Sequence, residues 1–205
     1  MAFENMKIEF PTKEYEGYIF DCDGTLADSM ALHLKAWQQA FREHGASFEY
    51  TWDIFVSLAG VGHEDTVRKM NARFGDKLDP VAVTHSKEAC YALSVDQVQP
   101  ITPVADYARA LAAKGAKIAV ASGGPRWMVS RTLRAIGMET LFQAVVTQDD
   151  IIKSKPDPEI FLKAAEWIGA DPKKCVVFED SHLGIAGAKA GGMDWVLIPP
   201  TGFAE

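Results

Sequence analysis

The 205-residue sequence is short of cysteine, of positive charge and of long apolar runs, and each shortage removes a class of function. Three cysteines, Cys22, Cys90 and Cys175, lie far apart and are odd in number. That is neither a disulfide framework nor a zinc-ligand spacing, so a reducing compartment is expected. Lysine and arginine total 21 against 28 aspartates and glutamates, and the net charge of −7 argues against a nucleic-acid or anionic-membrane surface. The same balance leaves room for a small phosphorylated ligand, which one local cluster of cations can hold. No apolar run approaches the roughly 18 residues that a membrane span requires. No basic region followed by an apolar stretch opens the chain, so a cytoplasmic protein is expected.

What the sequence does contain is concentrated in Gly17-Tyr-Ile-Phe-Asp-Cys-Asp-Gly-Thr-Leu-Ala-Asp-Ser29. A short apolar segment ends there in two carboxylates, Asp21 and Asp23, followed by Gly24. Residues i and i+2 of an extended chain point to one side, so both acids face one way. Like charges held together need a counter-cation, or one of them keeps a proton. The pattern points to a magnesium site, or to a nucleophile with an acid/base partner. Cys22, between the acids, falls on the opposite side and reads as a buried thiol.

Downstream, Met30 to His44 reads as a helix with Met30, Leu34, Trp37 and Phe41 on one face. Helical patterns follow at Thr51 to Ala59, His63 to Phe74 (stripe Val67, Met70, Phe74) and Asp79 to Leu93. The last has Asp79 as N-cap and Pro80 in its first turn. No strand pattern appears between Met30 and Asp96. From Pro103 onward, short apolar strands alternate with amphipathic helices, the mark of a parallel sheet covered on both faces. The strands are expected at Ile118-Ala-Val-Ala121, Ala144-Val-Val-Thr147, Val176-Val-Phe178 and Trp195-Val-Leu-Ile198. The first strand belongs with this half, so the helical block reads as an insertion. The expected division is a leader (1–16), an α/β core (17–29 and 98–205) and a helical cap (30–97), with Val98 to Pro103 as the return linker.

Ligands of an open parallel sheet bind at the carboxyl ends of the strands. Asp21 ends the first strand, Ser122-Gly123-Gly124 ends another, and Glu179-Asp180-Ser181 ends a third. Lys155, in Lys155-Pro-Asp-Pro158, follows by a short loop. Together they supply acids for a metal, a hydroxyl and backbone N–H groups for an anion, and a cation, which suits phosphoryl transfer. Asp21 can attack phosphorus, and Asp23 can protonate the leaving alcohol and later deprotonate water. Gly24 permits a sharp turn. Ser122 can donate to a non-bridging oxygen. Lys155, set among prolines, is expected on a loop with its ammonium free to neutralise charge. Asp180 with Glu179 can complete an oxygen shell around Mg²⁺.

Asp21-x-Asp23-Gly24-Thr25, Ser122, Lys155 and Glu179-Asp180 resemble the four ordered motifs of the haloacid dehalogenase superfamily. The resemblance covers nearly the whole chain from Gly17. Leu26-Ala-Asp28-Ser29, Lys153 to Glu159 and Phe178 to Ala190 resemble the branch that holds β-phosphoglucomutase and small sugar phosphatases. It implies a Rossmann-like, doubly wound core with a helical cap after the first strand, and a Mg²⁺-dependent enzyme with an aspartyl-phosphate intermediate. It also implies that Asp21, Asp180 and the Asp23 carbonyl hold the metal, with Glu179 assisting. Dehalogenases lack an acid at the position of Asp23, which favours phosphate chemistry here.

In the mutase pattern a cap arginine anchors a second phosphate, but here the matching loop Gly60-Val-Gly-His63 offers a histidine. Histidine lacks the bidentate fork and is only partly charged at neutral pH. Cap positions His33 and Lys87 match the mutase-like branch, and with Gly24, Gly123 and His63 they are the expected substrate contacts. Arg126 is a further residue within reach. The expected function is a phosphatase of a small sugar phosphate, working as a monomer, with β-phosphoglucomutase as the alternative. An inactive metabolite-binding regulator is a third reading, disfavoured because every motif acid and the lysine are present.

Overall fold

The computed structural model describes residues 8–200. β1 (Gly17–Phe20) and a short β2 (Ala27–Asp28) lead into α1 (Met30–Glu43), α2 (Trp52–Ser57), α3 (His63–Phe74) and α4 (Pro80–Ala92). The chain returns through β3 (Gln99–Pro100) to α5 (Thr102–Ala113), β4 (Ile118–Ala121), α6 (Arg126–Ala135) and β5 (Ala144–Val146). It ends with α7 (Glu159–Trp167), β6 (Cys175–Glu179), α8 (His182–Ala190) and β7 (Asp194–Leu197).

Among the described residues, five strands pair in parallel in the order β5-β4-β1-β6-β7. Every residue of β1, β4 and β6 is buried, which explains why these segments are continuous apolar runs rather than alternating ones. On one face, Phe20, Val120 and Phe178 pack with Val104 and Ala108 of α5 and Val129 and Leu133 of α6. On the other, Ile19, Ala121 and Val177 pack with Ile160, Phe161 and Ala164 of α7 and Ala188 of α8. The fold is therefore doubly wound. Cys22 is fully buried, as expected, and burial pushes its thiol well above the ordinary range.

The four helices α1 to α4 carry a separate apolar cluster built on Leu34, Trp37, Phe41, Tyr50, Val67, Met70 and Val83. Asp79 caps α4 by accepting from the Val81 and Ala82 N–H groups. Phe74 departs from its expected stripe: at 39% exposure it lies at the last turn of α3 and stacks on Phe48 (4.5 Å) instead of entering that cluster.

The return linker is more ordered than its prolines suggest. Gln99–Pro100 pairs antiparallel with Ala27–Asp28, so the two passages between core and cap lie side by side. Pro100 is tolerated because an edge strand leaves its missing N–H unneeded. The described part of the leader is tied down too: Phe10 stacks on Tyr107 (4.3 Å), and the Tyr15 hydroxyl donates to Asp194 (2.8 Å). Among the described residues no helix is long and apolar enough to cross a membrane.

Candidate active site

β1 lies between β4 and β6, where the direction of winding reverses, and the crevice beyond such a strand is the natural ligand site. Phe20 lies opposite Val120 and Phe178, so Asp21, Ala121 and Glu179 follow at one level. The sheet register thus delivers two acids to one edge before any side chain is considered.

Lys155 comes in from the loop between β5 and α7. Its Nζ donates to Asp21 Oδ1 (2.7 Å), Glu179 Oε1 (2.9 Å) and the Ala121 carbonyl (3.3 Å). The expected free ammonium is corrected here: Lys155 is 2% exposed and clamped, because two buried carboxylates require a cation between them. Burial acts to lower its pKa, but Asp21 and Glu179 outweigh it and hold the ammonium charged. Glu179 is fully engaged, with Oε1 also accepting from Ser181 Oγ (2.9 Å) and Oε2 from the Ser181 N–H (3.2 Å). Ser181 also caps α8 by accepting from the Gly184 N–H, so this motif serves the helix and the site at once.

Asp21, Glu179 and Asp180 bring oxygen atoms within 4.8 Å of one another. Burial, opposed by Lys155 and helped by the charge of Glu179, pushes Asp21 up to about 8. Burial together with Glu179 and Asp21 drives Asp180 well above the carboxylate range. Carboxylates so crowded hold protons unless a cation joins them, and an all-oxygen donor set suits a hard divalent ion such as Mg²⁺. Gly24 (φ +88°) makes room for this cluster, since a Cβ there would lie 2.3 Å from Asp180 Oδ2.

Asp23 behaves differently. Ser29 Oγ donates to its Oδ1 (2.6 Å), and His33 Nε2 lies 3.0 Å from the same oxygen at an angle too poor for a straight hydrogen bond. Burial would raise this carboxyl, but His33, Ser29 and Lys87 outweigh it and bring it down to about 2. The two acids face one cavity with opposite tendencies to hold a proton.

That cavity, about 90 Å³, is lined from the core by Asp21, Asp23, Ser122, Gly123, Glu179 and Asp180. From the cap come His33, His63, Lys87 and the apolar Trp37, Tyr50 and Phe55. Lys155 and Gly24 lie against Asp21 and Asp180 without lining this cavity themselves. Ser122 is buried with its Oγ accepting from the Gly124 N–H (3.2 Å). Gly60 (φ +89°) brings the cap loop down on the core: its own Cβ would lie 3.1 Å from Lys155 Cδ, and a Cβ on Gly123 would lie 3.3 Å from its carbonyl. Arg126 turns away, its guanidinium given to Asp150 and the Val145 carbonyl.

On α4, Val83, Lys87 and Tyr91 recur at i, i+4 and i+8 along the buried face. Lys87 Nζ lies 3.1 Å from His63 Nε2, and His63 Nδ1 lies 3.1 Å from Glu88 Oε1. Burial brings Lys87 down to about 8, and burial with the Lys87 charge brings His63 down to about 4. His33 stacks on the Tyr91 ring (4.0 Å). Sequence reasoning missed Ser29 as a member of the site and Glu88 as the partner of His63. Ser29 looks like an ordinary cap of α1, yet it makes no cap bond because its hydroxyl is given to Asp23.

A family model for haloacid dehalogenase-like hydrolases matches residues 15–192. Fructose-1-phosphate phosphatase YqaB of Escherichia coli is 32% identical over 91% of this chain and 97% of its own length. A phosphorylated carbohydrates phosphatase of Thermotoga maritima is 28% identical over 87% of this chain and 82% of its own. The crystal structure of CbbY from Rhodobacter sphaeroides with phosphate shares the fold, with a TM-score of 0.80 at 23% identity over 93% of this chain and 88% of that one. A match that spans most of the chain and every site residue from Asp21 to Ser181 shows that the chain belongs to the haloacid dehalogenase-like hydrolase family.

Proposed function

We propose that this chain is a Mg²⁺-dependent phosphatase that hydrolyses a small sugar phosphate through an aspartyl-phosphate on Asp21. In this reading residues 17–29 and 98–205 form the catalytic core and 30–97 the cap. The observation that carries it is the pairing of Asp21, 2.7 Å from Lys155 and crowded by Glu179 and Asp180, with a second carboxylate of opposite protonation tendency in the same cavity. The sugar-phosphate substrate class is supported by the relatives from Escherichia coli and Thermotoga maritima.

The metal would be held by Asp21, Asp180 and the Asp23 carbonyl, and when bound it supplies charge neutralisation at the phosphoryl oxygens. Asp21 attacks phosphorus as the ester oxygen departs, so one P–O bond forms while another breaks. Ser122 Oγ and nearby backbone N–H groups hold the non-bridging oxygens, while Lys155 keeps the Asp21 carboxylate in place. Asp23 delivers a proton to the leaving alkoxide, and the negative phosphoryl group beside it favours its protonated form. A water then attacks phosphorus and gives its proton to Asp23, which returns Asp21 free and releases phosphate. Ser29 holds the Asp23 carboxylate in place through these transfers, with His33 Nε2 beside it.

A mutase must anchor a second phosphoryl group and keep water out while its sugar turns over. The cap end here offers one ammonium, Lys87, beside an imidazole brought down to about 4, which is a weak anchor for a dianion. The test is phosphate release from a panel of phosphorylated sugars with and without Mg²⁺. Release that needs Mg²⁺ and is abolished in Asp21→Asn supports the reading. Conversion of β-glucose 1-phosphate into glucose 6-phosphate without phosphate release would replace hydrolysis with the mutase.

A further inference from the structure

Glu88 does not line the cavity, yet it is tied to the residues that do. Its Oε1 lies 3.1 Å from His63 Nδ1, while His63 Nε2 lies 3.1 Å from Lys87 Nζ. A lysine ammonium has only N–H donors, so His63 Nε2 must carry the lone pair and Nδ1 the proton. The Glu88 carboxylate, an acceptor, demands the same arrangement from the other side of the ring. Two independent partners therefore select one tautomer of one neutral imidazole.

The anchoring extends into the core. Burial acts to raise the Glu88 carboxyl, but His63, Lys87 and the Trp127 indole on α6 outweigh it and keep it ionised. Next to Trp127, Met128 Sδ lies 3.7 Å from Lys87 Nζ, and further along Thr132 Oγ1 pairs with the Tyr91 hydroxyl (2.9 Å). Lys87 and Tyr91, one turn apart on α4, thus meet Met128 and Thr132, one turn apart on α6. Lys87 is fully buried, and among the described residues its strong acceptor is His63 Nε2. Its ammonium keeps donors to spare, and it lines the cavity.

We propose that Glu88 is a positioning residue: it fixes His63 as the Nδ1–H tautomer, so that Nε2 aims the Lys87 ammonium at a hydroxyl on the non-phosphoryl end of the bound sugar. The inference rests on the sugar-phosphatase reading for its ligand, but not for its tautomer. A hydroxyl is the fitting partner because it can accept from Lys87, whereas a second phosphoryl group would bring two negative charges against the nearby Glu88. Glu88 thereby also biases the site toward monophosphates.

The test uses the full chain, with fructose 1-phosphate as a hydroxyl-bearing probe and p-nitrophenyl phosphate as a probe without hydroxyls. In Glu88→Ala, KM for fructose 1-phosphate rises about tenfold with kcat held, the signature of lost ground-state binding. KM for p-nitrophenyl phosphate stays unchanged. Glu88→Gln, whose amide oxygen still accepts from Nδ1–H, restores the KM of the parent. Imidazole ¹⁵N spectra of His63 show a protonated Nδ1 in the parent and in Glu88→Gln, and lose that single tautomer in Glu88→Ala. A protonated Nε2 in the parent, or KM values for both probes rising together in Glu88→Ala, would overturn the proposal. Should p-nitrophenyl phosphate be turned over and no phosphorylated sugar, the proposed function fails while the ¹⁵N spectra still decide the role of Glu88.

Discussion

The two ends of the cavity are held by different means. At the core end, Lys155 bridges Asp21 and Glu179, all of them buried, and the backbone register of β1, β4 and β6 sets their level. At the cap end, Lys87, His63 and Glu88 sit on helices and are aligned through single side-chain contacts in an aromatic cage, with Lys87 Nζ over Trp37 (5.4 Å) and Tyr91 (5.5 Å). A strand-end site is as rigid as its sheet, whereas a site built on helix side chains changes with each residue. Chemistry common to a whole family belongs at the first end, and selectivity particular to one chain belongs at the second.

The largest effect is expected at the core end: Asp21→Asn should lower kcat roughly 10⁴-fold or more, because the nucleophile is lost while the fold stays. Phosphate release under saturating substrate measures it, with circular dichroism as the control. Asp23→Asn should follow at about 10²- to 10⁴-fold, the usual worth of an acid/base group. Its KM should stay near that of the parent. Lys155→Met removes one partner of a buried ionic cluster, and leaving Asp21 and Glu179 uncompensated should cost about 3–5 kcal/mol of stability. Urea unfolding reads this loss, and added Mg²⁺ should recover part of it by binding the native state alone.

The cap end should answer in KM. Lys87→Met is expected to raise KM for a phosphorylated sugar about tenfold, with kcat nearly unchanged. Lys87 also gives the site a pH signature. Burial depresses its folded pKa to about 8 from 10.5, so above about pH 8 the ammonium is lost and KM rises. Between these two values the unfolded chain binds the extra proton, so the contribution of this group to stability rises with pH while binding weakens. Parallel KM and thermal-unfolding profiles separate the two effects. In Lys87→Met the rise of KM above pH 8 should vanish.

The core end was legible in the sequence because strand ends are marked by apolar runs that stop at polar residues. Ile118 to Ala121 followed by Ser122, and Val176 to Phe178 followed by Glu179 and Asp180, announce both the strands and the edge at which they end. The cap end was legible only as helices. The spacing of Val83, Lys87 and Tyr91 was available as a sign that Lys87 lies on a buried face, but nothing local joins it to His63, 24 residues away, or joins Glu88 to Trp127. Those links depend on how α3, α4 and α6 are placed, which is tertiary packing rather than local pattern. The same reason hid the pairing of Ala27–Asp28 with Gln99–Pro100, whose two-residue strands carry no periodic signal. Lys155 was expected on a loop and is on one, but its burial came from the carboxylates that needed it.

During turnover Asp21 is expected to carry the phosphoryl group. Acid-quenching the enzyme with ³²P-labelled fructose 1-phosphate and Mg²⁺, then digesting and mapping the chain, tests it directly. Label recovered on the peptide that contains Asp21, and absent from Asp21→Asn, is the predicted result. Label on another peptide, or full phosphate release by Asp21→Asn, would contradict the account.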